Sequence, residues 1–314
     1  MRPNPSQRVI DALNRLYGPR NAYFDSLNQS PEAAFAYSFR SGEVVYRQFD
    51  GFNDFQDRVV LDFGCGGGGK TVYYATRGPR RMLGVDAELD RAPAEAAARE
   101  RRLRVEFIPF TGEGRIPLKD DACDYVIASS VLEHVADVPA ALREIRRVLR
   151  PEGLFLNRWH PYRSRHGAHL GAAIGIPFAH LLFRERDLMR CYHRLVCRRL
   201  GTFPATLGPA RADSESFADL AYPLNRATVR QMRLALEAAG FGLVARRFLR
   251  GTRRVRLPHF VPESWVDYLV DYEAQVCAAS KPRPVRAARR RGPAAHAGVR
   301  RGGLIDEINV PQPV

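Results

Sequence analysis

The sequence predicts an α/β protein with a doubly wound, mostly parallel sheet, and three observations carry that prediction. Short apolar runs alternate with helical patterns across residues 58–157. The first run leads straight into a glycine cluster, Gly64-Cys65-Gly66-Gly67-Gly68-Gly69. The second run closes on an acid, Asp86. Strands that alternate with helices pair in parallel through right-handed crossovers.

The elements follow in order. Residues 1–57 hold an amphipathic helix around Val9–Tyr17 and an aromatic-rich stretch with Phe35, Tyr37, Phe39, Tyr46 and Phe49, read together as an N-terminal helical cover. Arg58–Phe63, Arg81–Asp86, Arg104–Ile108 and Asp124–Ser129 read as strands, being short and mainly β-branched or aromatic. Such runs suit strands buried on both faces. Between them lie the helical segments Thr71–Arg77, Ala92–Arg101 and Pro139–Leu149. The last carries the stripe Ala140, Ala141, Ile145 and Val148, and Pro151-Glu152-Gly153 stops it. Gly153–Asn157 reads as a fifth strand, completing a core at 58–157.

The rhythm then breaks. Residues 158–224 are rich in His, Arg and aromatic side chains without a clear period. A structureless loop of that length is implausible in a compact domain, so this insert is expected to form a cap with helices of its own. Its apolar segment Gly167–Phe183 is expected to supply the cap's core rather than a membrane-surface patch. The core resumes over 225–280 with a helix at Ala227–Ala239, closed by Gly240, and a hairpin from Phe241–Leu249 and Thr252–Leu257.

Composition narrows the class. The formal net charge is +15 over 314 residues, but Lys281–Arg301 alone contains one Lys and seven Arg with no acid. The tail at 281–314 is therefore expected to be a solvated, disordered extension. Weak contact with nucleic acid or an acidic membrane surface is its alternative use. The start lacks the apolar core of a signal peptide, and no apolar stretch is long enough to span a membrane. Five cysteines show no metal-type spacing, which fits a reduced, cytoplasmic chain.

The glycine cluster has two readings. Gly64–Thr71 satisfies the phosphate-loop pattern G-x-x-x-x-G-K-T of a nucleotide hydrolase, and Asp62 onward equally satisfies D-x-G-x-G-x-G. Both patterns need glycine because a ligand lies against bare backbone at a helix start. The acids separate them. Asp62 would repel a phosphate but suits a ligand bearing an ammonium and a sulfonium. Asp86, 24 residues on, can accept both hydroxyls of a ribose.

At this point VVLDFGCGGGGKT, GVD, RIPLKDDACDYVIASSVLEHV and ALREIRRVLRPEGLF together resemble the class I S-adenosylmethionine-dependent methyltransferases, of the type 11 kind. The resemblance runs from Arg58 to Leu156 and resumes weakly at Asn225–Phe248. It implies a seven-stranded Rossmann-like sheet and S-adenosylmethionine as cofactor. It also implies that the methionine moiety lies on the backbone of Gly64, Cys65 and Gly66, with Asp62 near its amine. Asp86 would hold the ribose, Ala87 would pack near the adenine, and Ser129 would face the methionyl or ribose side. Relatives carry an acid and a small residue before the Leu-Pro pair, and here that stretch is Thr111-Gly112-Glu113-Gly114, with the acid displaced by one. Glu113 and Gly114 are the implied adenine contacts.

Three histidines are candidate catalytic groups at the carboxyl edge of the sheet: His134 after the fourth strand, and His160 and His166 after the fifth. His160, His166 and His169 crowd into ten residues, yet no carboxylate or cysteine is near them in sequence, and their spacing matches no standard metal motif. No metal is therefore expected. The expected methyl acceptor is a small molecule, saccharide or lipid-linked metabolite methylated on oxygen or nitrogen. An RNA-binding methyltransferase guided by the Arg-rich tail is the alternative.

Overall fold

The computed structural model describes residues 4–18, 30–87, 91–110, 114–201, 215–219 and 223–279. Glu113 and the basic tail lie outside the described residues. One sheet contains β1 (Val59–Phe63), β2 (Arg81–Asp86), β3 (Val105–Pro109), β4 (Cys123–Ser129), β5 (Leu149–Trp159), β6 (Gly242–Arg250), β7 (Arg253–Val255) and β8 (Tyr272–Ala278). Their order is β3-β2-β1-β4-β5-β8-β6-β7. The first five strands pair in parallel, and β8 is antiparallel to both β5 and β6. The sheet is thus the expected one with an addition: the expected hairpin is β6 with the three-residue β7, and β8 is an eighth strand, not read from the sequence, inserted antiparallel between β5 and β6.

The strand order reverses at β1, whose two neighbours are β2 and β4. A crevice opens at the carboxyl ends of the strands at such a point, and ligands of open α/β sheets collect there. The fifth strand begins earlier than expected. A register shift between Cys123 and Tyr125, with Glu152 at φ 69°, takes the Pro151-Glu152-Gly153 turn into β5 as an irregularity.

Alternate side chains of β1 feed two cores, as the pleat requires. Leu61 joins Leu83, Val126 and Phe155 against α5 (Val138–Val148) and α8 (Val229–Ala238). Val60 joins Met82, Ile127 and Leu156 against Phe49, Phe55, Tyr73 and Tyr74. The last two belong to α3 (Gly69–Ala75), the helix opened by the glycine cluster. The next crossover helix, α4 (Ala92–Glu100), buries Ala94, Ala97 and Ala98 near α3.

The expected N-terminal cover divides in two. Helix α2 (Pro31–Gln48) lies on α3 so closely that a Cβ on Gly69 would stand 2.8 Å from Phe35 O and Phe39 N. Helix α1 (Pro5–Tyr17) leaves the sheet and joins the cap instead. There Ile10 is buried with Ala168, Leu170, Ile174 and Ile176, and with Leu188, Met189 and Tyr192 of α7 (Glu185–Leu200). A short α6 (Ala179–Leu182) leads into α7. Segment 167–183 therefore does contribute the cap's own core. Asn14 fastens α1 at both ends of its amide, donating to Ala173 O at 2.7 Å and accepting from Gly175 N at 2.9 Å.

Candidate functional site

The glycine cluster bends back on itself at the end of β1. Gly64, Gly66 and Gly68 have φ of 75°, 55° and 79°, in the left-handed region that favours glycine. The three differ in what surrounds them. A Cβ on Gly64 would meet the Val131 side chain at 2.4 Å, and one on Gly68 would meet Phe107 at 2.6 Å. At Gly66 nothing lies within 4 Å, so its outer side faces open space at the sheet's switch point.

The loop's N–H groups are largely taken. Gly64 N and Cys65 N both donate to Val85 O, at 2.8 and 3.1 Å, and Gly68 N donates to Cys65 O. Gly66 N donates to Asp86 Oδ2 at 2.6 Å, and Ala87 N donates to Asp86 Oδ1 at 2.7 Å. A phosphate loop needs such N–H groups free to cradle an anion. Here Val85 O, Cys65 O and Asp86 already occupy them, so the loop has few N–H groups left for a phosphate. Cys65 contributes backbone, because its buried sulfur packs where a Cβ of Gly84 would be.

Two carboxylates bracket this opening, as the sequence places them. Asp62 is 2% exposed and accepts from Thr71 Oγ1 at 2.7 Å. Burial pushes its pKa up to about 6, opposed by the Thr71 hydrogen bond and the nearby Lys70 ammonium. Burial also raises Asp86, while the Gly66 and Ala87 N–H groups pull it down. Thr71, which a phosphate loop would turn toward magnesium, is therefore committed to an acid. Lys70 runs beneath the site to within 3.4 Å of Ser129 O. Arg91 holds the start of the following segment, donating to Asp86 O and Ala87 O. Gly114 is exposed at φ 76°, with nothing within 4 Å of a Cβ.

Across the crevice, the ends of β4 and β5 supply a second group of polar side chains. Ser129 ends β4 with its hydroxyl buried and unpartnered. A tight turn then carries Glu133 inward, 3% exposed, with no side chain hydrogen-bonded to its carboxylate and only the backbone N–H groups of Glu133 and His160 close by. Burial lifts Glu133 to about 7, opposed by its own backbone, Arg158 and other neighbours. His134, His160 and His169 gather beside it, with ring centroids 4.9 Å apart for His134 and His169 and 4.6 Å for His160 and His169. Burial drives His160 well below the ordinary imidazole value and takes His169 down to about 3. His166 sits one turn back along the chain, its carbonyl accepting from His169 N at 2.9 Å.

This grouping revises the reading of the histidines in two ways. A carboxylate does stand beside them, because the turn after β4 brings in Glu133 from 27 residues before His160. The compact trio is Glu133, His160 and His169, whose ligating atoms all lie within 4.8 Å of one another. His166 is not part of it.

Asn225 and Arg158 escaped the sequence reading. Asn225 Nδ2 donates to Leu132 O at 2.6 Å and Val135 O at 2.9 Å, and its N–H donates to Glu133 O. It thereby clamps the turn that holds Glu133 and His134. An asparagine 90 residues downstream gives no local signal of that role. Arg158 Nη1 donates to Ser130 Oγ at 3.0 Å, and its guanidinium lies 3.3 Å from the Tyr272 ring centroid. A hollow of about 640 Å³ lined by Arg80, Arg81, Arg104 and Arg150 lies at the opposite, amino edge of the sheet, away from all these groups.

Residues 61–157 match the family model described as a methyltransferase domain. A probable S-adenosylmethionine-dependent methyltransferase of Mycolicibacterium smegmatis is 38% identical over 120 residues, which cover 38% of this chain and 44% of that protein. The malonyl-[acyl-carrier protein] O-methyltransferase of Serratia marcescens is 39% identical over 98 residues, or 31% of this chain and 36% of that protein. Among solved structures, an S-adenosylmethionine-dependent methyltransferase from Mesorhizobium loti gives a TM-score of 0.48 at 17% identity, over 80% of this chain and 99% of that one. The alignments span less than half the length of these two curated relatives. Among the described residues, no helix is long and apolar enough to cross a membrane.

Proposed function

We propose, from the premise that residues 61–157 form a class I S-adenosylmethionine-dependent methyltransferase domain, that this chain moves a methyl group from S-adenosylmethionine to an oxygen or nitrogen of a small-molecule, saccharide or lipid-linked acceptor. One observation carries the reading. Two carboxylates flank a glycine turn whose N–H groups are already donated and whose outer face at Gly66 is open. That surface suits a cation with a ribose and does not suit a polyphosphate.

In this reading Asp86 releases Gly66 N–H and Ala87 N–H in part to accept the two ribose hydroxyls. Asp62 and the loop carbonyls receive the ammonium. Ala87 and Gly114 flank the adenine, and Ser129 borders the methionyl side. Methyl transfer is then an in-line displacement: the acceptor lone pair forms the new bond to carbon, and the carbon–sulfur bond pair returns to sulfur. The methyl is already activated by the sulfonium, so the chain's contribution is alignment, worth on the order of 7–11 kcal/mol when reacting atoms are well held. The acceptor's proton leaves toward His134, at the carboxyl edge. The cap over 158–224 closes that edge and selects the acceptor.

Thermal melting tests the reading directly. S-adenosylmethionine, or its demethylated product, is expected to raise the melting temperature with increasing concentration, as any ligand of the native state does. ATP with magnesium is expected to leave it unchanged. Stabilisation by ATP alone would return the loop to the phosphate-binding class.

A further inference from the structure

We infer that Glu133, His160 and His169 form a binding site for one divalent transition-metal ion of the zinc type, at the carboxyl edge beneath the cap. This goes beyond the methyl-transfer reading and does not depend on it.

Four observations support the site. Its donors are one carboxylate and two imidazoles, with ligating atoms within 4.8 Å of one another. Buried atoms of all three side chains make no hydrogen bond of ordinary geometry: both oxygens of Glu133, Nδ1 of His160 and Nε2 of His169, with only the backbone N–H groups of Glu133 and His160 close enough to the carboxyl to lower its pKa. Buried polar atoms left without a good partner cost on the order of 1–3 kcal/mol each, a deficit that a bound cation would meet. The His160 ring is already oriented by a hydrogen bond with the Asp271 backbone, and it lies on Tyr272 with centroids 3.7 Å apart. A metal-bound histidine characteristically gives its other ring nitrogen to such a backbone partner. Finally, Asn225 fixes the turn that presents Glu133.

The chemistry of the donors selects the ion. Magnesium and calcium take oxygen ligands, whereas two imidazoles with a carboxylate suit zinc and its neighbours. The local charge opposes any dication, because Lys70 and Arg158 both act on Glu133, so the ion must be held by imidazole coordination rather than by electrostatic attraction. Bonds of about 2.0–2.2 Å place tetrahedral ligands roughly 3.4 Å apart, so the trio must contract by up to about 1.5 Å, within reach of side-chain rotation. Three protein ligands leave a coordination position open, as in catalytic rather than structural zinc sites.

The test uses the full-length chain, stripped with chelator, titrated with zinc by calorimetry and then examined by X-ray absorption. The expected result is one tightly held zinc with two imidazole ligands and no sulfur. Glu133→Gln, His160→Ala and His169→Ala are each expected to weaken zinc binding on the order of a hundredfold or more, since even losing an outer partner costs tenfold or more. His166→Ala and Cys197→Ser are expected to bind as wild type does, and magnesium is expected not to compete. Three results would each overturn the site: no zinc bound by the folded wild type, a sulfur-ligated spectrum, or ligand variants that bind as tightly as wild type. Because the wild-type spectrum decides by itself, misfolded variants leave the test intact. Affinity for S-adenosylmethionine is measured on the same samples. Zinc without cofactor binding removes the methyltransferase reading alone, and cofactor without zinc removes the metal site alone.

Discussion

The sheet core and the cap are built by different rules. In the core, the groups that form the donor site are close along the chain: Gly66 meets Asp86 20 residues on, and Asp62 meets Thr71 nine residues on. In the cap, the fastening contacts join the first helix to segments 159 and 183 residues further along the chain. Asn14 reaches Ala173 across 159 residues, and Arg194 pairs with Asp11 at 2.6 Å. A site made by neighbours along the chain forms wherever its strand and turn form. A site made by distant segments exists only once both have docked. Packing in the cap can therefore be perturbed without touching the groups that form the glycine turn.

The sharpest way to break that comparison is to hollow the cap. Leu188 is fully buried in the cluster shared by α1 and α7, and Leu188→Ala is expected to cost about 2–5 kcal/mol. Acceptor turnover should collapse while affinity for S-adenosylmethionine, read by calorimetry, stays close to wild type. If cofactor affinity fell in step with stability, the two regions would be one cooperative unit.

Next in size is the core's own site. Asp86→Ala removes a carboxylate that holds Gly66 and Ala87 and is assigned two ribose hydroxyls. Charge-assisted bonds of this kind contribute roughly 1.5–3 kcal/mol each, so cofactor affinity should drop on the order of tenfold or more. The circular dichroism of the folded protein should be unchanged. Unaltered affinity in calorimetry would remove Asp86 from the donor site.

A pH experiment sharpens the comparison further. Asp62 has a folded pKa of about 6, above the roughly 3.9 of an unfolded aspartate. Its contribution to stability is therefore fully present below about pH 4 and is lost as pH rises through about 6. The shift corresponds to a cost on the order of 3 kcal/mol at neutral pH in the unliganded protein. Asp62→Asn should flatten that part of the stability profile and melt at a higher temperature than wild type near pH 7.5. The same variant should bind S-adenosylmethionine more weakly, because the ammonium loses its counter-charge. A variant that melts lower than wild type at neutral pH would contradict the burial cost assigned to Asp62.

The smallest expected effect belongs to the tail. Removing 281–314 should leave cofactor affinity and acceptor turnover nearly unchanged, since every site residue named above precedes it. Affinity for RNA, if the full chain has any, should fall steeply with salt and disappear with the truncation. A truncated, folded protein without turnover would move acceptor selection from the cap to the tail.

What the sequence determined by itself is the donor half of the molecule. Buried parallel strands read as continuous apolar runs, so β1, β2 and β4 were legible from Val59, Arg81 and Cys123 onward to within about a residue; β3 was equally legible from Val105, although it is a half-exposed edge strand rather than one buried on both faces. Glycines that must take positive φ, at Gly64, Gly66 and Gly68, marked the turn, and Asp62 and Asp86 marked the two carboxylates that bracket it. Each of these signals is local, because period, turn chemistry and strand-end acids are fixed by residues a few positions apart. Only the tertiary structure decided the rest. That α1 belongs to the cap depends on Ile10 finding Leu188 and Met189, which no periodicity encodes. That Glu133 stands with His160 and His169 depends on the pairing of β4 with β5, which lays two strand ends side by side and so juxtaposes residues remote in sequence. Clusters of that kind are made by the sheet's lateral order, and the spacing of residues along a chain carries no record of it.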